Sequence, residues 1–126
     1  MDISKLVYYR LVKLIEFVGS SLDDLRGFPV GARRECGYQL DRVQQGFDPV
    51  DWKPMPTVGS GVREVRVRDQ GGAFRVIYVA KLADHVYVLH CFQKRTQQTA
   101  TADLELASRR YKEIVSAVQD RAGERT

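Results

Sequence analysis

The sequence predicts an α+β fold, in which an antiparallel sheet has its helices packed on one face. The strongest observation is a hairpin pattern, since the β-rich runs Val62–Asp69 and Ala73–Ala80 flank a turn containing Gly71 and Gly72. The second is the presence of segments with helical apolar spacing on both sides of these runs. The elements follow the order β-α-α-β-β-β-α, and we expect the sheet face without helices to hold the functional site.

The length and composition fit a single folded domain. The chain has 126 residues, and 44% of them are hydrophobic, which suits one core and argues against disorder. We expect one domain over residues 1–126, with residues 1–12 as a peripheral lead and residues 120–126 as a peripheral tail. The formal net charge of +4 permits a polyanionic partner without requiring one.

The sequence also bears on the compartment and on cofactors. Cys36 and Cys91 lack the spacing of a metal site, so we interpret both as buried thiols in a reducing compartment. No segment is long and apolar enough to span a membrane, and Met1–Val18 lacks the apolar region of a signal peptide. We therefore expect a cytoplasmic protein with no metal, no cofactor and no membrane partner.

The first part of the chain predicts one strand and two helices. Lys13–Val18 is the expected first strand, and Ser21 is the expected N-cap of a short helix, with Asp24 three residues later. A second helix is predicted over Val30–Gln45. Four apolar residues recur there at helical spacing and should face the core, namely Ala32, Cys36, Leu40 and Val43.

The proline-rich segment Phe47–Gly61 predicts a long connection before the hairpin. We expect Trp52 to anchor this connection against the core and Lys53 to reach the site, because loops of this length are often functional. After the hairpin, Val86–Phe92 predicts another strand of the meander. A final amphipathic helix is expected to end near Gln119.

The hairpin carries a high density of positive charge. Because side chains alternate along a strand, Glu64, Arg66 and Arg68 should project from one face of the first hairpin strand. Guanidinium groups stay charged and pair well with phosphate oxygens. Six residues form the candidate nucleic-acid site, namely Lys53, Arg66, Arg68, Arg75, Lys94 and Arg95. The alternative is that these residues are solvated surface charges.

The sequence contains no nucleophile elbow, P-loop or zinc motif. RNA cleavage can nevertheless proceed on a basic set, because the 2′-hydroxyl of RNA can attack its own neighbouring phosphate. The protein must then position the RNA, stabilise the developing charge and assist proton transfer. A lysine crowded by like charges can serve as acid or base. His90 lies within an apolar strand and is either a hydrogen-bonded core histidine or a site residue.

Several segments give the chain a resemblance to a known family. They are Gly19–Pro29, Trp52–Pro56, Val62–Arg68 with Phe74–Tyr78, and Val88–Thr96. Together they resemble the phage-derived Gp49-like proteins, the HigB-type branch of the RelE/ParE toxin superfamily. The resemblance covers roughly Lys13–Ile114, and the order of the motifs is more specific than any single motif.

The resemblance implies a toxin of a type II toxin–antitoxin pair. HigB-like members are mRNA endonucleases that generally cut mRNA in the ribosomal A site, with a small α+β fold and no metal. Their partner is usually a helix-turn-helix antitoxin, which neutralises the toxin and represses the shared operon. By resemblance we therefore expect a metal-independent endoribonuclease whose partners are mRNA, the ribosome and such an antitoxin.

The resemblance also implies roles for single residues. Arg75 matches the family's arginine after the aromatic residue of the central strand, Arg66 and Arg68 match basic residues of the preceding strand, and Lys94 and Arg95 match the basic pair after the last strand. We expect a catalytic set of Arg66, Arg75, His90 and Lys94, and RNA contacts from Lys53, Arg68 and Arg95.

The general acid and base stay open at this point. Some superfamily members carry a tyrosine early in the last helix, but here Tyr111 comes too late and Thr101 and Asp103 occupy the start. The candidates are Lys53, His90 and Lys94. Two alternative functions are also compatible with the sequence. The chain is then either a ParE-like gyrase inhibitor or a non-catalytic phage-derived binding protein. The dense basic sheet face favours RNA over gyrase.

Overall fold

The computed structural model describes residues 12–82 and 84–124. Its strands are β1 (Leu14–Phe17), β2 (Trp52–Pro54), β3 (Val62–Asp69), β4 (Gly72–Leu82) and β5 (His85–Lys94). Its helices are α1 (Ser21–Arg26), α2 (Val30–Gln44) and α3 (Thr101–Glu124). The predicted α+β class is confirmed. Most of the expected lead and the last two residues of the tail lie outside the described residues.

The sheet has five strands in the order β1-β5-β4-β3-β2, and its strands are not all antiparallel. β1 pairs with β5 in parallel, with Leu14 opposite His85, whereas the other three pairs are antiparallel. The prediction of a purely antiparallel sheet was therefore wrong. The connection from β1 to β5 contains α1, α2 and the strands β2, β3 and β4, so the chain has ample length to cross back and enter β5 parallel to β1.

The proline-rich connection contains a short strand that the sequence did not predict. β2 pairs with β3, with Trp52 opposite Val65 and Lys53 opposite Glu64. β2 lies at the edge of the sheet, where a proline such as Pro54 is tolerated because one side of an edge strand needs no ladder hydrogen bonds. The pairing fixes Lys53 next to β3.

The helices cover both faces of the sheet. α1 and α2 pack on the face that carries Val76, and α3 packs on the face that carries Ile77. The prediction of helices on one face was thus wrong in this detail. β4 is buried continuously from Phe74 to Val79, and a strand that is apolar on both sides needs cover on both sides.

A β-bulge in β5 sets which side chains reach the α3 face. Ile77 pairs with His90 while Tyr78 pairs with Val88, so Leu89 is one residue extra on β5. A bulge of this kind shifts the alternation of the following side chains. As a result His90 lies on the α3 face together with Leu89, instead of on the opposite face.

Two local predictions at helix ends need correction. Ser21 is not the N-cap but the first residue of α1, and its buried hydroxyl donates a hydrogen bond to the carbonyl oxygen of Val88 at 3.2 Å. It therefore ties α1 to β5. The last helix continues past Gln119 to Glu124. None of the helices within residues 12–82 and 84–124 is long and apolar enough to cross a bilayer.

Candidate functional site

The strand register brings most of the predicted basic residues onto one face. Arg66 lies directly opposite Arg75, Arg75 opposite Phe92, and Lys94 opposite Ala73. Paired residues project to the same side of a sheet. We call the residues that share this face the cation cluster, and its members are Lys53, Arg66, Arg68, Arg75 and Lys94.

The cation cluster lies on the α3 face, not on a face free of helices as the sequence suggested. α3 packs over Ile77 and Val79, whereas Arg75 and Ala73 lie farther along β4. The helix therefore covers one part of the face and leaves the cluster beside its N-terminal end. The contact between Asp103 in the first turn of α3 and His90 on β5 marks this boundary.

A buried carboxylate lies within the cation cluster. The side chain of Glu64 is fully buried, and its Oε1 atom is 3.5 Å from Nε of Arg75 and 3.9 Å from Nζ of Lys53. Its Oε2 atom accepts a hydrogen bond from the hydroxyl of Thr99 at 3.0 Å. Sequence reasoning placed Glu64 on this face but assigned it no role. The signal that could have found it is a lone acidic residue on a strand face otherwise occupied by arginines.

Arg75 is the innermost cation of the cluster. It is only 2% exposed, and its Nη1 atom donates a hydrogen bond to the carbonyl oxygen of Phe74 at 3.0 Å. Burial lowers the pKa of Arg75, and the charge of Glu64 opposes that effect while Arg66 and Arg68 add to it. An arginine remains protonated under such conditions, so Arg75 is a fixed positive charge under the sheet surface.

Lys94 is a lysine of the cluster whose pKa is lowered by its surroundings. Removal from water lowers the pKa of Lys94, and the positive charges of Arg75, Lys53 and Arg66 lower it further, against an opposing contribution from Glu64. The side chain is partly exposed. A lysine with a lowered pKa can exchange a proton with a substrate more readily near neutral pH.

His90 and Asp103 form a close pair beside the cluster. Nε2 of His90 lies 2.7 Å from Oδ1 of Asp103, and the imidazole stacks on Phe92 with ring centroids 4.9 Å apart. Nδ1 of His90 is buried and has no hydrogen-bond partner among the described residues. When the proton is on Nε2 and Nε2 donates a hydrogen bond to Asp103, Nδ1 presents a lone pair.

The remaining cations differ in exposure and position. Arg68 is exposed, while Arg66 and Lys53 are half-buried. Arg95 is exposed as well, but the structure does not bring it into the cation cluster. Its guanidinium donates a hydrogen bond to Gln93 at 3.2 Å, and Gln93 is paired with Phe74, which projects to the other face.

An open cleft adjoins the cluster between the loop after β2 and the start of α3. Its volume is about 380 Å³, and Lys53, Thr99 and Leu104 are among the residues that line it. Lys53 and Thr99 both contact Glu64, so two residues that line the cleft are also neighbours of the buried carboxylate. Within the described residues, no group of three or more His, Cys, Asp or Glu side chains is placed to hold a metal ion.

Comparisons with known proteins agree with this architecture. The family model described as phage-derived protein Gp49-like (DUF891) matches residues 23–112. A structure of E. coli toxin RelE, an arginine-to-alanine double mutant in the free state, is similar with a TM-score of 0.58 at 17% sequence identity. The similarity covers 82% of this chain and 98% of that chain, and at this identity it concerns the fold alone. No curated protein gave a significant sequence match.

Proposed function

The chain belongs to the Gp49-like family of phage-derived proteins, and on that premise we propose that it is the toxin of a type II toxin–antitoxin pair. We further propose that it cleaves mRNA on the ribosome. The observation that carries this proposal is the cation cluster, which gathers five basic residues on one face of the sheet. Such a face suits a ribose-phosphate chain because phosphate contacts dominate the affinity of proteins for nucleic acids.

The more exposed cations are assigned to RNA binding. Arg66, Arg68 and Lys53 are accessible to solvent and are assigned to phosphates on either side of the cleaved bond. Arg95, which lies outside the cation cluster, is assigned to a more distant phosphate. The cleft beside Lys53 and Thr99 offers room for part of the RNA chain.

The reaction assigned to this site is an intramolecular transfer. The 2′-oxygen forms a bond to phosphorus while the bond between phosphorus and the 5′-oxygen breaks, which yields a 2′,3′-cyclic phosphate and a free 5′-hydroxyl. Arg75 stabilises the negative charge that develops on the phosphate oxygens, because a fixed charge in a site of low dielectric is effective there. The reaction requires one proton acceptor and one proton donor.

Two residues supply these proton transfers in our proposal. Nδ1 of His90 is buried in the free protein, so in our proposal RNA binding opens access to it, and Nδ1 then accepts the proton of the 2′-hydroxyl. Asp103 holds Nε2 meanwhile, an arrangement in which a carboxylate fixes the tautomer of the base. Lys94 donates a proton to the departing 5′-oxygen, since its pKa is lowered by burial and by neighbouring cations. Arg66 assists Arg75 at the phosphate.

Expression without an antitoxin tests the function. We expect the wild-type chain to arrest growth, and purified ribosomes programmed with mRNA to yield cleaved mRNA, whereas mRNA without ribosomes stays intact. The Arg75→Ala variant should lose both effects by a factor of about 10²–10³. The Arg34→Ala variant is the matched control, because Arg34 is exposed on α2 and projects away from the cation cluster.

Other outcomes would contradict the proposal in distinguishable ways. Intact mRNA together with a DNA-damage response on induction would indicate a gyrase inhibitor. Unimpaired growth on expression of the folded wild-type chain would indicate a binding protein without catalytic activity. The antitoxin part is tested separately, because we expect a neighbouring gene for a helix-turn-helix protein whose product abolishes the growth arrest and binds the toxin.

A further inference from the structure

We propose that Glu64 is a positioning residue, which orients Arg75 and Lys53 for cleavage without touching RNA. This inference rests on the proposed function, since it assigns a role within the same site. Glu64 is fully buried at a position where its carboxylate faces two cations of the cluster. A charge is retained in a buried position only when partners compensate it.

The two carboxylate oxygens have different partners. Oε2 accepts the hydrogen bond from Thr99, in the segment between β5 and α3. Oε1 lies near Nε of Arg75 and Nζ of Lys53 at 3.5 and 3.9 Å, and neither Oε1 nor Nε of Arg75 has a hydrogen-bond partner within the described residues. The hydrogen bond from Thr99 therefore fixes the carboxylate, while its other oxygen orients the cations electrostatically.

The position of Glu64 links three separate parts of the chain. Lys53 comes from β2, Arg75 from β4 and Thr99 from the segment before α3, and all three meet at this one side chain. Catalytic groups lose rate steeply when they are misplaced, and a shift of 1 Å can cost about 100-fold. The carboxylate is thus suited to hold the two cations at a defined separation.

Because Glu64 is negatively charged, a role in positioning can be distinguished from a role in RNA binding. A carboxylate repels phosphate, so Glu64 weakens RNA binding slightly while it supports the reaction. The Glu64→Gln variant keeps the size of the side chain and an acceptor for Thr99 but removes the charge. We expect its kcat to fall by about 100-fold, whereas its affinity for RNA is unchanged or higher.

The experiment uses ribosomes programmed with mRNA. Single-turnover rates give kcat, and binding to the same ribosomes with a 2′-O-methylated codon, which cannot react, gives affinity. A second readout is the NMR chemical shift of the Arg75 Nε–H group, which should move in Glu64→Gln because the neighbouring negative charge at 3.5 Å is removed. Unfolding curves establish that each variant is folded.

The experiment distinguishes failure of the positioning role from failure of the proposed function. If the wild-type chain does not cleave mRNA, the proposed function fails. If it does cleave and Glu64→Gln retains its kcat, or loses kcat and affinity together, the positioning role is overturned. Should Glu64→Gln fail to fold, Thr99→Val replaces it, because it releases Oε2 without changing charge. We then expect a lower kcat at unchanged affinity, and an unchanged kcat would overturn the proposal.

Discussion

The Nε2 atom of His90 lies 2.7 Å from the Oδ1 atom of Asp103, across the boundary between the sheet and the first turn of α3. This pair exists because the bulge at Leu89 turns His90 toward the α3 face. The imidazole also stacks on Phe92, so its ring plane is fixed from two sides. The geometry is that of a histidine whose tautomer and orientation are set by a carboxylate.

Loss of either member of the His90–Asp103 pair should slow cleavage. Asp103→Ala and His90→Ala should each lower the rate of mRNA cleavage by about 10²-fold, the usual range for loss of general acid–base assistance. The double variant should be no slower than the slower single variant, because residues that act as a unit are not additive. Single-turnover kinetics measure all three rates. Glu105→Ala is the control, because Glu105 is exposed on the same helix. If the rate losses of the two single variants multiplied in the double variant, the two residues would act independently, which would contradict the pairing.

Lys94 should confer a pH dependence on cleavage. Burial and neighbouring cations lower the pKa of Lys94. A proton donor is active in its protonated form, so kcat should decline as pH rises through this lowered pKa. Removing a neighbouring positive charge with Arg66→Gln should raise the pKa of Lys94 and move the decline to higher pH. A pH profile of kcat measures the shift, and a decline that stays at the same pH in Arg66→Gln would exclude Lys94 as its source.

Arg66 and Arg68 on β3 are the residues expected to contact RNA phosphates. Arg66→Ala and Arg68→Ala should each weaken binding to single-stranded RNA and reduce the slope of log affinity against log salt by about 0.7, the value for one phosphate contact in a single strand. Filter binding at several salt concentrations gives the slope. Arg34→Ala, on the outer side of α2, should leave the slope unchanged. Equal slopes for all variants would mean that the β3 arginines do not contact phosphate.

Gly59 packs closely against Tyr111, and this contact affects stability independently of function. A Cβ atom at Gly59 would clash with the ring of Tyr111, whose hydroxyl donates a hydrogen bond to the carbonyl oxygen of Ser60. Gly59→Ala should therefore lower the free energy of unfolding by about 1–3 kcal/mol, the usual cost of overpacking. Urea unfolding measures this change.

A matched glycine gives the opposite sign. The Cβ atom of an alanine at Gly37, within α2, would meet no atom within 4 Å. Gly37→Ala should raise the free energy of unfolding by about 0.4–1 kcal/mol, because alanine restricts the unfolded chain and favours a helix. If both variants changed the free energy of unfolding in the same direction, the contact between Gly59 and Tyr111 would not explain the effect of Gly59→Ala.

Much of the fold follows from local pattern. The hairpin of β3 and β4 has a glycine-rich turn between two β-rich runs, and α2 repeats apolar residues at helical spacing, so the predicted core positions Ala32, Cys36 and Leu40 are indeed buried. Alternation along β3 also placed Glu64, Arg66 and Arg68 together correctly. These features depend on a few neighbouring residues.

The features that the sequence did not predict depend on distant partners. β2 has only three residues, of which the last is Pro54, so its pairing with β3 carries no local periodicity. The bulge at Leu89 is defined by its register against β4 and not by residue type. The role of Glu64 likewise depends on Thr99, which lies in a different part of the chain.

The parallel pairing of Leu14 with His85 has a consequence for biosynthesis. β1 is synthesised early and its partner β5 late, so the two strands pair across a long sequence separation. Contacts between residues so distant in sequence raise the contact order of the chain, which slows folding. During translation the first strand has no partner until most of the polypeptide has left the ribosome. His90 and Lys94 emerge in the same late portion, so a nascent chain that ends before them lacks both a complete β5 and the two residues assigned to proton transfer.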